Sequence, residues 1–196
     1  MTSKLEAAYA NLFKVANAVN EALQTAEFAG GEKEKLAVSC LEVSLEHQSS
    51  ILLLGTHLQY SSMFALLRPS GEAYVRGRWL FRCADPQGIV DFKNGKIKKF
   101  PDLLAEIEAV QPGHSMQPFR ALIKSLHDFT HTGINQLVRR AIGGGHYPAD
   151  DIEKAYNITS TFCLLAGLEL ASLAKDHAER VIKMAQCSDN FPPRSP

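Results

Sequence analysis

Residues 116–140 read MQPFRALIKSLHDFTHTGINQLVRR, and their spacing predicts one helix with two faces. Pro118 suits the first helical turn, where the N–H that proline lacks would have no intrahelical partner. Phe119, Leu122, Leu126, Phe129, Gly133 and Leu137 recur at steps of three and four and make an apolar stripe. Arg120, Lys124, His127, His131 and Asn135 step in the same way and share a second, polar face. A helix with one apolar stripe needs other helices to cover it, so this stretch implies a helical bundle.

The flanking sequence repeats the pattern. Leu5, Tyr9, Leu12, Ala16, Val19 and Leu23 predict a helix over 3–27, stopped by Gly30-Gly31. From Glu32 a second helical segment runs through Leu36, Cys40, Val43, Ser50 and Leu54 to about Leu67, with Gly55 bending or dividing it. Arg68-Pro69 is expected to end it, because the residue before proline avoids the helical region. A third helix then starts at Pro69. In it Glu72 and Arg76 have the favourable order for a helical ion pair, and Trp79 is expected in the core.

Asp85–Gly88 reads as a turn, followed by a short helix and a loop carrying Lys93, Lys96, Lys98 and Lys99. A second short helix opens at Phe100-Pro101-Asp102 and ends before Gln111-Pro112-Gly113. Gly143-Gly144-Gly145 is a break without the spacing of a phosphate loop. Asp150, with Glu153 three residues on, predicts a capped start for the last long helix. Residues 162–174 are apolar nearly all round and should lie at the centre. No window alternates with period two. The expectation is therefore all-α: one domain over 1–187, four long helices and two short ones, and a flexible tail over 188–196.

Lys+Arg and Asp+Glu are both 21, so the formal charge is zero. A surface that binds nucleic acid or anionic membrane over its whole area is excluded, while a local basic groove is not. The cysteines, Cys40, Cys83, Cys163 and Cys187, have neither CxxC nor zinc spacing, which fits reduced thiols and a cytoplasmic protein. Lys4 and Glu6 stand where a signal peptide would need apolar residues, and the run Ile51–Gly55 is too short to span a bilayer. No membrane association is expected.

The polar stripe of 116–140 admits three kinds of chemistry. His127 and His131, four apart, could reach one metal ion, but the sequence names no convincing third ligand, and Asp128 stands where HExxH needs glutamate. Arg120 and His127 are two helical turns apart, so an arginine could hold a phosphate while a histidine moves a proton, as RNA cleavage through the ribose 2′-hydroxyl requires. The third reading is structural: Arg120, Lys124, His127 and His131 hydrogen-bond to a neighbouring helix or to solvent.

An arginine followed at such a spacing by a histidine, within a long helix of a small bundle, resembles the HEPN domains (higher eukaryotes and prokaryotes nucleotide-binding). Here the resemblance rests on Arg120, His127 and the all-α layout, with Ala121 where the family often has a polar residue. It implies a metal-independent ribonuclease of a bacterial toxin or phage-defence system. It also implies a homodimer with paired motifs, RNA as substrate, no cofactor, and a cognate antitoxin or inhibitory partner.

A broader run, ALLRPSGEAYVRGRWL and then LHDFTHTG, resembles a group of uncharacterised bacterial helical proteins. Its matching positions are Arg68, Glu72, Arg76, His127, His131 and Gly133, and it implies that the two helices meet. On these grounds Arg120, His127 and His131 are the candidate catalytic residues. Lys124, Glu72 and Arg76 are the candidate substrate-binding residues. The competing class is a non-enzymatic helical interaction module, or a bundle that binds a metal or small ligand through His127 and His131.

Overall fold

In the computed structural model the residues described are 3–28, 30–111, 116–130, 137–138, 141 and 147–188. Their order is α1 (Ser3–Leu23), α2 (Glu32–Thr56), α3 (Tyr60–Arg82), α4 (Pro86–Lys93), α5 (Phe100–Val110), α6 (Gln117–Thr130), α7 (Ala149–Leu173) and α8 (His177–Ser188). The fold is all-α, with no strand among the described residues and a lone backbone bridge between Phe28 and Ala174. Eight helices, rather than the expected six, make up the described residues.

α3 is the helix against which α2, α5, α6 and α7 pack, while α7 lies against α1, α2, α3 and α8. The apolar periodicity is used as expected on α1 and α7. On α2 the buried face is instead Ala37, Val38, Leu41, Ser44, Gln48, Ile51 and Gly55. None of the expected Leu36, Cys40, Val43, Ser50 and Leu54 is buried, and Val43 is exposed. Leu5, Leu12, Val19, Leu41, Leu80, Phe162 and Leu170 are buried, and so is Trp79. No residue of 162–173 is exposed. On α6 the buried stripe is Ile123 and Leu126, with Phe119 half-buried between Tyr74 and Phe162. Leu137, expected on that stripe, is exposed. The side chains of 127–130, and residues 131–136, lie outside the described residues, as does the tail from 189. No helix of the described residues is long and apolar enough to cross a membrane.

Two boundaries differ from the sequence reading. The break expected at Arg68-Pro69 falls instead at Leu58–Gln59. There Leu58 takes a left-handed φ of 57°, and Gln59 N–H and Leu58 N–H donate to Leu54 O and Gly55 O at 2.8 and 3.1 Å. That is the hydrogen-bond pattern of a Schellman end, with leucine where glycine is usual. Pro69 sits inside α3. It forfeits one backbone bond, and the burial of Met63, Phe64, Leu67, Tyr74 and Val75 along the same helix outweighs that loss. The segment expected to bend or divide at Gly55 does divide beside it, as α2 ends at Thr56. A Cβ on Gly55 would strike the Tyr156 hydroxyl, so glycine also serves the approach of α7. Finally, α7 starts at Pro148 rather than at an Asp150 cap. Asp150 and Asp151 lie within its first turn, where carboxylates favour the helix dipole.

Polar groups tie the layers together. Ser44, Gln48 and Ser70 form a buried cluster between α2 and α3, with the Ser44 hydroxyl donating to Ser70 O at 2.9 Å. Between α3 and α7 the Glu169 carboxylate, 9% exposed, meets Arg82 at 3.0 Å and Arg78 at 3.4 Å. Arg78 also donates to the Tyr74 hydroxyl at 2.6 Å and to Gln111. Burial pushes the Tyr74 hydroxyl pKa up to about 12, against the pull of Arg78.

Two substitutions test this core. Glu169→Ala leaves Arg78 buried without its carboxylate and should cost about 3–5 kcal/mol in denaturant unfolding. Leu170→Glu places an unpaired charge in a wholly buried site and should cost at least about 3 kcal/mol. An unchanged melting temperature in either variant would show that the pairing or the placement of α7 is wrong.

Candidate functional site

The site is built where α6 crosses α3. The crossing is close because Gly71 has no side chain. A Cβ there would lie 2.8 Å from the Phe162 ring and 2.9 Å from Ile123 Cδ1. With Ile123 facing inward, the next positions around α6 bring Arg120 and Lys124 to the edge of the crossing. α5 closes the third side with Phe100, Pro101 and Leu104.

These residues, together with Arg68 of α3, line an open cavity of about 660 Å³. Leu104 and Ile123 are buried and form its floor. Three cations stand around it, and no carboxylate lines it among the described residues. Cations beside an apolar floor hold a stronger field than they would in open water.

The two arginines are held differently. Arg120 is tied to α5: one guanidinium nitrogen donates to Glu108 Oε2 at 2.9 Å and the other to Pro101 O at 3.1 Å. Glu108 is fixed from the other side by the Met116 N–H, and these two contacts hold its carboxyl below the usual carboxylate range. Arg68 donates to Glu72 Oε1 at 2.7 Å, and Arg76 reaches the second oxygen of the same carboxylate at 3.1 Å. One carboxylate thus serves two arginines.

The sequence-predicted residues therefore divide. Arg120 and Lys124 line the α3–α5–α6 cavity. His127 is one turn further along α6, with its side chain outside the described residues, and His131 lies wholly outside them. Glu72 and Arg76 do not line that cavity. They face a second one of about 290 Å³ between α2 and α3, with Val43, His47, Pro69, Ala73 and Arg68. Arg68 borders both, so it connects the two groups that the sequence reading joined directly. On the α6 side Arg68 meets Arg120 and Lys124. The expected meeting of Glu72 and Arg76 with His127, His131 and Gly133 lies outside the described residues.

Two residues stood outside the candidate catalytic and binding sets, namely Arg68, which entered only as a matching position of the broader resemblance, and His47. Arg68 carried a visible signal in its spacing of four from Glu72, but the neighbouring proline directed attention to a helix break. His47 carried none, since only the packing of α2 on α3 sets it beside this arginine pair. No three His, Cys, Asp or Glu side chains converge as metal ligands among the described residues.

The fold and site define a helical bundle with a cationic, apolar-floored cavity at its α3–α6 crossing. A family model described as "Family of unknown function (DUF6988)" matches residues 41–196, and the chain belongs to that family. The match takes in every residue of both cavities. Comparison with curated proteins and with solved structures gave no match.

His47 supplies a pH test of the second cavity. Burial lowers its pKa below 6.5, against a smaller opposite pull from Glu46. Folded His47 therefore binds fewer protons than unfolded His47 as pH falls below 6.5, so the folded state loses stability there. His47→Gln should remove part of that acid loss. The change should be under about 1 kcal/mol, because solvent screens a half-exposed group. Melting curves from about pH 8 to about pH 5.5 read it, and identical pH profiles for both proteins would place His47 in free solvent.

Proposed function

We propose that this protein is a metal-independent endoribonuclease of the HEPN-like kind, acting at the α3–α5–α6 cavity. The observation that carries the reading is the cavity's lining, Arg68, Arg120 and Lys124 without a carboxylate, at the helix that also bears His127. Arg120 and Lys124 hold the phosphate, and arginine's fork suits the charge that develops on it during attack. His127 moves the proton between the ribose 2′-hydroxyl and the leaving oxygen, a task that an imidazole performs near neutral pH. His131 assists on the same face. Glu72 and Arg76 act one step removed, through Arg68. In this reading the protein works in the cytoplasm as a homodimer, in toxin or phage defence, under a cognate antitoxin or inhibitory partner.

A second reading has its own observation. Arg120 is half-buried and bonded to Glu108 and Pro101 O, as a residue that only fastens α5 to α6 would be. In that case the protein is a non-enzymatic interaction module.

Incubating purified protein with total RNA, with and without EDTA, separates the readings. Cleavage should persist in EDTA. It should fall by roughly 10² to 10⁴ in His127→Ala, which should melt like the parent, and in Arg120→Ala assayed well below its own melting temperature. Absence of cleavage by the folded protein, freed of any inhibitor, favours the interaction module. Cleavage that EDTA abolishes makes His127 and His131 metal ligands instead.

A further inference from the structure

The α3–α5–α6 cavity has more in it than a phosphate needs. A bare anion would satisfy Lys124 and Arg68 at the rim. It would leave the floor of Leu104 and Ile123 and the flank of Phe100 and Pro101 facing water. The volume, about 660 Å³, falls within the range of sites for small organic ligands, roughly 300–1,000 Å³. The charge is also unevenly available. Glu108 faces Arg120, Glu72 faces Arg68 and Arg76, and Lys124 is exposed with no partner among the described residues. The anion-recognising edge is therefore centred on Lys124, with Arg68 beside it, across the apolar floor from α5.

We infer that this cavity binds a small amphipathic anion, a phosphate, sulfonate or carboxylate joined to a flat apolar body. The anionic group sits on Lys124 and Arg68, and the flat body covers Leu104 and Ile123 beside Phe100. Arg120 also positions the site: its bonds to Glu108 and Pro101 O hold α5 against α6 and so keep the apolar wall in place. Such a ligand has two sources, an unstacked nucleotide of a nucleic acid or a free aromatic acid. The inference stands on the cavity alone and does not require cleavage.

The probe is 8-anilinonaphthalene-1-sulfonate, a fused aromatic system bearing one sulfonate, titrated into the full chain and followed by fluorescence. One saturable site is expected. Lys124→Glu, at an exposed position, should weaken it by about tenfold or more, as loss of a charge-assisted contact does. Arg68→Gln should weaken it similarly. Lys14→Glu, a charge reversal on α1, should change nothing, and melting curves show that each variant is folded. Arg120→Gln should lower the melting temperature as well as the affinity.

Displacement then identifies the source. A nucleoside monophosphate that displaces the probe, where 2-naphthoate does not, marks the nucleotide; the reverse marks the aromatic acid. The inference is overturned if the dye does not bind, binds without saturating, or is displaced by neither compound. It is also overturned if binding is indifferent to both Lys124→Glu and Arg68→Gln. RNA cleavage, measured separately, can fail while this site stands, and the site can fail while cleavage stands.

Discussion

The buried carboxylate of Glu169 constrains the rest of the structure. A charge at the centre of a bundle is costly unless opposite charges and hydrogen bonds surround it. Arg82 and Arg78 supply them from α3, and Arg78 is itself fastened to Tyr74 and Gln111. Apolar side chains alone would tolerate some sliding of α7 along α3. A carboxylate that must meet two guanidinium groups separated by one helical turn does not. The contact sets the register of α3 against α7, and through Gln111 it also holds the end of α5.

α3 carries three tasks on three of its faces. Tyr74, Arg78 and Arg82 bind α7 and the end of α5. Gly71 admits α6 and the Phe162 ring. Arg68, Glu72 and Arg76 face outward between two cavities. All three sets repeat with helical spacing, so one rigid element relates the buried ion pairs to the cationic edge at a fixed distance and angle. Pro69 sits within this helix without breaking it because the packing on either side of it is dense.

The contrast between Arg120 and Arg68 governs how the open cavity is read. Both are partly buried arginines with carboxylate partners, at side-chain exposures of 29% and 23%. Arg120 has Glu108 to itself together with a backbone carbonyl, which makes it a fastening between α5 and α6. Arg68 divides one carboxylate with Arg76. The Glu108 carboxylate across the helix crossing therefore sets where the Arg120 guanidinium stands at the cavity edge.

Local sequence settled what local forces settle. The three-four rhythm of Leu5 to Leu23, of Phe119 to Leu126 and of Ile152 to Leu173 fixed the helices and their buried faces, because the period depends only on near neighbours. The Glu72–Arg76 pair, the core place of Trp79 and the all-α class were legible for the same reason. The end of α2 was not, since Leu58 adopts a left-handed turn that its side chain does not advertise. Glu169 lies inside the run 162–174 that read as apolar nearly all round, and nothing local marked it, because its partner Arg82 is 87 residues away. Arg68 read as the residue before a helix break and as a matching position of a resemblance, and His47 drew no site reading. Their places in the cavities come from the crossing of α2, α3 and α6, which is set by a missing Cβ at Gly71 and by ion pairs between distant positions. Periodicity is written in each helix separately; the meeting of side chains from different helices is decided only when the helices pack.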